Sequence, residues 1–151
     1  ETLPVAQKMG APLGPGEVLL PALPSGGQPQ GGLMGKTIAI GLLLWALPWM
    51  GAAMVGLWRA KSEFWRAFWL MSGVWAFIDA GIALFGLLGG EPTADGLRRG
   101  LWINAGLDVA YVLVGLFLLA RKGALNKGLG WAIVVQGVFL LGFDVLHALR
   151  V

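Results

Sequence analysis

Cysteine is absent from this 151-residue chain, and histidine and tyrosine occur once each. Without cysteine, the chain can form neither disulfides nor thiolate metal sites. Charged residues are also scarce at 13% of the sequence, about half of what a soluble domain carries. These deficits exclude a disulfide scaffold, thiol chemistry and an ordinary water-soluble domain.

Apolar residues are abundant instead, at 57% of the sequence, and the mean hydropathy is +0.75. This composition excludes a disordered chain. The net charge of +3 does not indicate a nucleic-acid partner, because the eleven Lys and Arg residues flank apolar runs and form no basic face. Cations at the ends of apolar runs are typical of proteins whose partner is the lipid bilayer.

Residues 1–35 form a separate region, because they hold six of the eight prolines and eight glycines. Proline and glycine disfavour helices, and the apolar stretch GEVLLPALP is too short to span a bilayer. We expect an extramembrane tail or a lid over the rest of the protein. The chain begins at Glu1, which fits a cleaved signal peptide or a trimmed chain.

Residues 36–151 contain four apolar segments, each close to or above the ~20 residues that a helical span needs. The segments do not alternate as barrel strands would, and short links join them. The sequence therefore predicts an all-α membrane protein, an antiparallel bundle of four transmembrane helices. We expect Asp95 to be the N-cap of the third helix. The predicted helices lie at about 36–58, 64–89, 98–120 and 129–150.

The distribution of cations predicts the orientation. Six Lys and Arg residues lie at the first and third links, against four at the opposite ends of the spans and one in the tail. The rule that cytoplasmic loops carry more Lys and Arg places those two links in the cytoplasm. We expect a multi-pass protein of the inner (plasma) membrane with both termini outside the cytoplasm.

Three of the eight acids lie inside spans and are too far from a loop to reach water easily: Asp79, Asp108 and Asp144. An Asp at the centre of a span costs roughly 2.5–3.5 kcal/mol on insertion scales. At 1.5 Å per residue, the three lie roughly 14, 14 and 9 Å below the predicted outer boundary. We therefore expect them at a similar depth in the outer half of the bilayer.

Other polar residues share helix faces with these acids. Asn104 and Tyr111 lie on the same stripe as Asp108, and His147 and Gln136 lie near Asp144. Lipid cannot satisfy such groups, so the stripes should face each other across the bundle. The candidate site is therefore built from seven residues: Asp79, Asp108, Asp144, Asn104, Tyr111, Gln136 and His147.

Several functions fit this set of residues. The acids could bind protons or cations, could serve only as interhelical hydrogen-bond donors and acceptors, or could line a small-ligand pocket. A protonated carboxyl group can donate to its neighbour, so the three groups can hold fewer than three charges. His147 with Asp144 and Asp79 would suit a divalent metal, whereas an interfacial histidine bonded to Asp144 or water is the simpler interpretation. The sequence identifies neither a metal nor a cofactor.

Nucleotide-binding, zinc-protease and serine-hydrolase motifs are all missing. A membrane-embedded enzyme is therefore the least favoured class, and the sequence leans away from an enzyme. The alternative to a binding or transport module is a structural or accessory subunit of a larger membrane complex. Four helices enclose little volume, so a transport path would require a homo-oligomer.

Two segments resemble an uncharacterised group of bacterial four-span membrane proteins: NAGLDVAY (104–111) and VVQGVFLLGFD (134–144). The similarity covers the second to fourth predicted helices and not the proline-rich tail. The resemblance implies the same number of spans and draws attention to Asn104, Asp108, Gln136 and Asp144. It implies no activity, because the group has none assigned.

Overall fold

The computed structural model describes residues 30–90 and 92–151, and these residues form helices and short connections. The four helices are α1 (Gln30–Arg59), α2 (Glu63–Leu88), α3 (Ala94–Ala120) and α4 (Ala124–Ala148). All four are long and apolar enough to cross a membrane. The prediction of an all-helical protein with four such segments is therefore confirmed. Of the predicted tail or lid at residues 1–35, residues 1–29 lie outside the described residues.

All four helices begin earlier than the sequence predicts, α2 by one residue and the other three by four to six. The predicted boundary between tail and bundle falls inside α1, which begins at Gln30. Glycines count against a helix in the sequence, but tertiary packing can override that preference. In α1, Met34 packs against the buried cluster formed by Ile38, Leu101 and Ala148. The start of α1 therefore belongs to the helical bundle.

The N-cap of α3 is Thr93 and not Asp95, so the prediction for Asp95 is wrong. The side-chain oxygen of Thr93 accepts a hydrogen bond from the backbone N–H of Gly96 at 3.2 Å. Asp95 lies in the first turn, where a negative charge interacts favourably with the helix dipole. Both residues thus favour the start of this helix, but α3 begins one residue before Asp95.

Glycines bring the helix backbones close together. The closest helix pairs are α3 with α4 and α1 with α2, and α4 also packs against α2. A Cβ atom added to Gly115 would lie 3.0 Å from the carbonyl oxygen of Gly130, and one added to Gly128 would overlap the carbonyl oxygen of Phe64. These small residues allow the backbone of α4 to lie in direct contact with the backbones of α2 and α3.

A buried hydrogen bond joins α1 to α4. The amide oxygen of Gln136, which is fully buried, accepts a hydrogen bond from the indole Nε1–H of Trp45 at 2.9 Å. The Trp45 ring stacks on Phe139, with 3.5 Å between the ring centroids. Nearby, Leu42 of α1, Ala83 of α2 and Leu140 of α4 form a buried apolar cluster.

In the described residues, α2 and α3 do not pack closely against each other. Their facing side chains instead line two cavities, to which α1 and α4 also contribute. The larger cavity lies at the end of α2 and the start of α3, and the smaller one lies deeper in the bundle. This gap between α2 and α3 contains the candidate site.

Candidate carboxyl site

Helices α2, α3 and α4 each place one buried aspartate in the wall of the smaller cavity. The exposed fractions of Asp79, Asp108 and Asp144 are 1%, 4% and 7%. The cavity has a volume of about 140 Å³, and all three residues line it. Residues that are far apart in the sequence therefore meet at one place in the fold. We refer to this cavity as the carboxyl cavity.

The three carboxyl groups interact with one another. The side chains of Asp108 and Asp144 line the same cavity and are close enough to interact electrostatically. A hydrogen bond between two carboxyl groups requires a proton on one of them, because an ionised carboxylate only accepts. Asp79 is close enough for electrostatic interaction with both of the others. Groups this close to one another share protons as a set, so we consider the three carboxyl groups together.

Two carboxyl oxygens in this site have no hydrogen-bond partner among the described residues. These atoms are the Oδ2 of Asp79 and the Oδ2 of Asp108, both of which are buried. A buried polar atom without a partner costs free energy, so each such atom calls for an explanation. A proton, a water molecule or a ligand in the carboxyl cavity would satisfy both atoms.

The rest of the cavity wall is partly aromatic and mostly apolar. Asn104 and Tyr111 of α3 line it, as the sequence stripe predicts, and the Tyr111 ring meets the Trp75 ring edge-on at 4.8 Å. Among the described residues of the wall there is no Lys, Arg or His. The other lining residues are Leu42, Ile78, Ile82, Leu107 and Leu140.

Gln136 and His147 lie outside the carboxyl cavity. Gln136 binds Trp45, as described above, and its Nε2 has no hydrogen-bond partner within residues 30–90 and 92–151. The Nδ1 atom of His147 lies 2.7 Å from the carbonyl oxygen of Phe143 in its own helix, and the two rings lie 4.2 Å apart. Within residues 30–90 and 92–151, no three His, Asp or Glu side chains are placed to hold a metal ion. The described geometry therefore does not support the metal interpretation of His147.

Sequence reasoning missed two features of this region. The first is Trp45 as the partner of Gln136, although its position in the middle of a span, away from the interface that tryptophan prefers, was a signal. The second is a larger cavity of about 540 Å³ beside the carboxyl cavity. Both cavities are lined by Leu42, Ile82, Asn104 and Asp144. No local sequence pattern marks such a space, because residues from all four helices form it.

Fold and site together define a helical protein with four helices apolar enough for a membrane and three carboxyl groups in one cavity between α2 and α3. Residues 41–145 match the family of unknown function DUF6992, and the chain belongs to that family. The match covers most of α1 as well as the three helices that carry the aspartates. No curated protein and no solved structure matches this chain.

Proposed function

We propose that this chain is a multi-pass membrane protein, an antiparallel four-helix bundle whose carboxyl cavity binds and releases protons. The observation that carries the proposal is the meeting of Asp79, Asp108 and Asp144 in one cavity without a positive side chain among the described residues of its wall. Acids inside membrane spans commonly mark proton relays and ion paths. We expect the carboxyl cavity to open toward the outer leaflet of the plasma membrane.

The length and surface of the helices support the membrane location. The shortest, α4, has 25 residues and is about 38 Å long, which exceeds a hydrocarbon core of about 30 Å. Large apolar side chains are exposed on every helix, among them Leu44, Phe77, Phe85 and Phe117. An apolar surface of this extent is unfavourable in water and favourable in lipid.

Contacts along the helices support the antiparallel order. Gly56 near the end of α1 lies against Trp69 near the start of α2, and Gly86 near the end of α2 lies against Ala39. The contact of Gly115 with Gly130 relates α3 and α4 in the same way. With the excess of Lys and Arg at the first and third links, this order favours termini outside the cytoplasm.

Protons are the ligand that the geometry of the carboxyl groups favours. Three buried carboxylates cannot all remain charged without countercharge, and a shared proton links two of them favourably. To bind a metal ion, three side chains must place their ligand atoms around one point, and no three His, Asp or Glu side chains among the described residues do so. The other titratable groups nearby are Tyr111 on α3 and His147 on α4, and the nearest cation along α1 is Lys36.

Infrared difference spectroscopy tests proton binding directly. The protein in lipid nanodiscs is taken through a pH titration, and the carbonyl band of protonated carboxylic acids is followed. We expect a titrating band that loses intensity in Asp79→Asn, Asp108→Asn and Asp144→Asn. Asp95→Asn is the matched control, because Asp95 is an exposed acid in the first turn of α3. A spectrum that is unchanged in all three cavity variants would overturn the proposal.

A structural role is the second candidate, favoured by the position of Asp108 on α3 and Asp144 on α4 in the wall of one cavity. Polar side chains that hydrogen-bond between helices stabilise membrane bundles by about 0.6 kcal/mol on average. Asp108→Asn preserves a hydrogen-bonding side chain of the same shape, whereas Asp108→Leu removes it. If the group serves only as an interhelical link, Asp108→Asn keeps the wild-type stability and no carboxylic acid band titrates. Proton binding instead predicts a lost band at nearly unchanged stability in Asp108→Asn.

A further inference from the structure

The larger cavity has the size and the wall of a ligand pocket. Its volume of about 540 Å³ lies within the roughly 300–1,000 Å³ of typical small-molecule sites. Glycines make much of its wall, and a Cβ atom added to Gly90 or Gly100 would meet nothing within 4 Å. The absence of side chains at these positions leaves the space open. The remaining wall is mainly apolar, with Ile38 and Phe143 as examples.

One end of this apolar cavity carries polar groups. Asp144 and Asn104 line the larger cavity and also the carboxyl cavity, so the two spaces are adjacent along a shared wall. The described residues that line the larger cavity include no Lys or Arg. An apolar body next to an acidic end complements an amphiphile that has an apolar chain and a positively charged head.

The carboxyl cavity itself has the groups that recognise an organic cation. Asp79 and Asp108 are at least nine-tenths buried, and each has one oxygen without a hydrogen-bond partner in the described part of the chain. The rings of Trp75 and Tyr111 stand in the same wall. Aromatic faces attract ammonium groups through the ring quadrupole, and together with carboxylates they form typical quaternary ammonium sites.

We infer that the two adjoining cavities form one binding site for a lipophilic cation, an amphiphile with a single ammonium head. The head lies among Asp79, Asp108 and Asp144, and the apolar chain lies in the glycine-lined cavity between α1, α2 and α3. This inference rests on the proposed proton site and names its ligand class. When the cation binds, it replaces protons on the carboxyl groups, and these protons pass to the solvent.

Three probes of equal chain length test the charge preference: decyltrimethylammonium, decanol and decyl sulfate. Binding is measured by calorimetry on the whole protein in phosphatidylcholine nanodiscs, with empty nanodiscs subtracted. We expect saturable binding of decyltrimethylammonium and no saturable binding of the neutral or anionic probe. Equal binding of decanol would show an acyl-chain or lipid groove without charge recognition, and would overturn the inference.

Paired variants test the location. Gly100→Leu fills the larger cavity without touching a carboxyl group, and Gly106→Leu is its control because Gly106 is on the same helix, faces open space and lines neither cavity. We expect Gly100→Leu to weaken cation binding at least tenfold and Gly106→Leu to leave it unchanged. Asp144→Asn should also weaken binding at least tenfold, whereas Asp95→Asn should not. Wild-type affinity in Gly100→Leu would overturn the inference.

Proton release separates this inference from the proposed function. In weakly buffered solution, wild-type protein should release protons when decyltrimethylammonium binds. If the carboxylic acid band titrates but the cation does not bind, the inference fails and the proton site stands. If the cation binds without proton release and no band titrates, the proton site fails and the cation site stands.

Discussion

At the scale of single residues, the most informative side chain outside the cavities is Gln136. It is fully buried, and its amide oxygen accepts a hydrogen bond from the indole N–H of Trp45, while its Nε2 lacks a partner among the residues that the structure describes. Its position on the helix face near Asp144 made it a candidate for the acid site. Its partner is instead Trp45 on α1. Gln136 itself lies about two helical turns from Asp144 along α4.

A double-mutant cycle of Trp45→Phe and Gln136→Leu tests this interhelical bond. We expect a coupling free energy of about 1 kcal/mol, because each single change removes the same hydrogen bond. The measurement is reversible unfolding in mixed micelles. Strict additivity of the two changes would mean that the bond contributes nothing to stability. Trp131→Phe is a suitable control, since Trp131 is an exposed tryptophan on the same helix as Gln136.

His147 illustrates how a residue type can suggest more chemistry than its surroundings support. Its Nδ1 lies against the carbonyl oxygen of Phe143, and the ring packs on the Phe143 ring. We expect His147→Gln to leave both the carboxylic acid band and the binding of decyltrimethylammonium within twofold of wild type. Infrared and calorimetric titrations check this, and a tenfold loss in either would place His147 in the site.

At the scale of helices, α4 is the element on which the bundle is assembled. It packs against α2 and α3, and buried glycines stand at these contacts. Spaced glycines in the sequence indicate close packing in general but not which of them make contact. In the structure, Gly137 lies against Val112, whereas Gly142 faces open space.

This difference gives a matched pair of substitutions on one helix. Gly128→Ala places a methyl group on the carbonyl oxygen of Phe64, so α2 and α4 must separate. We expect a loss of about 1–3 kcal/mol in the free energy of unfolding, the usual cost of overpacking. Gly142→Ala should leave stability unchanged or slightly higher, since alanine is the better helix former. Equal effects of the two changes would argue against the close contact at Gly128.

The number and the type of the helices follow from the sequence, whereas their ends and contacts do so only in part. Long apolar runs without internal cations fix the four helices, because a lipid-exposed backbone must satisfy its own hydrogen bonds. The sequence predicts the start of α1 too late, because the glycines near Gln30 disfavour a helix. The packing of Met34, which favours the helix there, is visible only in the structure. Spacing along each helix could bring Asp79, Asp108 and Asp144 to one depth, but only tertiary packing shows which polar residues share a cavity.

At the scale of the whole molecule, the natural lack of cysteine makes the topology directly testable. Lys61→Cys and Lys122→Cys each place a single thiol in the first or third link, and Pro92→Cys places one in the second link. In right-side-out vesicles, we expect a membrane-impermeant maleimide to label Pro92→Cys and not the other two. Inside-out vesicles should give the reverse pattern, and labelling of all three positions from one side would contradict four membrane crossings.

The close approach of α2 to α4 at Phe64 and Gly128 lies at the opposite end of α2 from the gap beside Gly90 and Gly100. Two helices that are held together at one end can move apart at the other end while that contact is kept. The larger cavity can therefore widen for ligands of different thickness without loss of the contact between Phe64 and Gly128. Selectivity among such ligands should then depend more on the charge of the head than on the bulk of the tail.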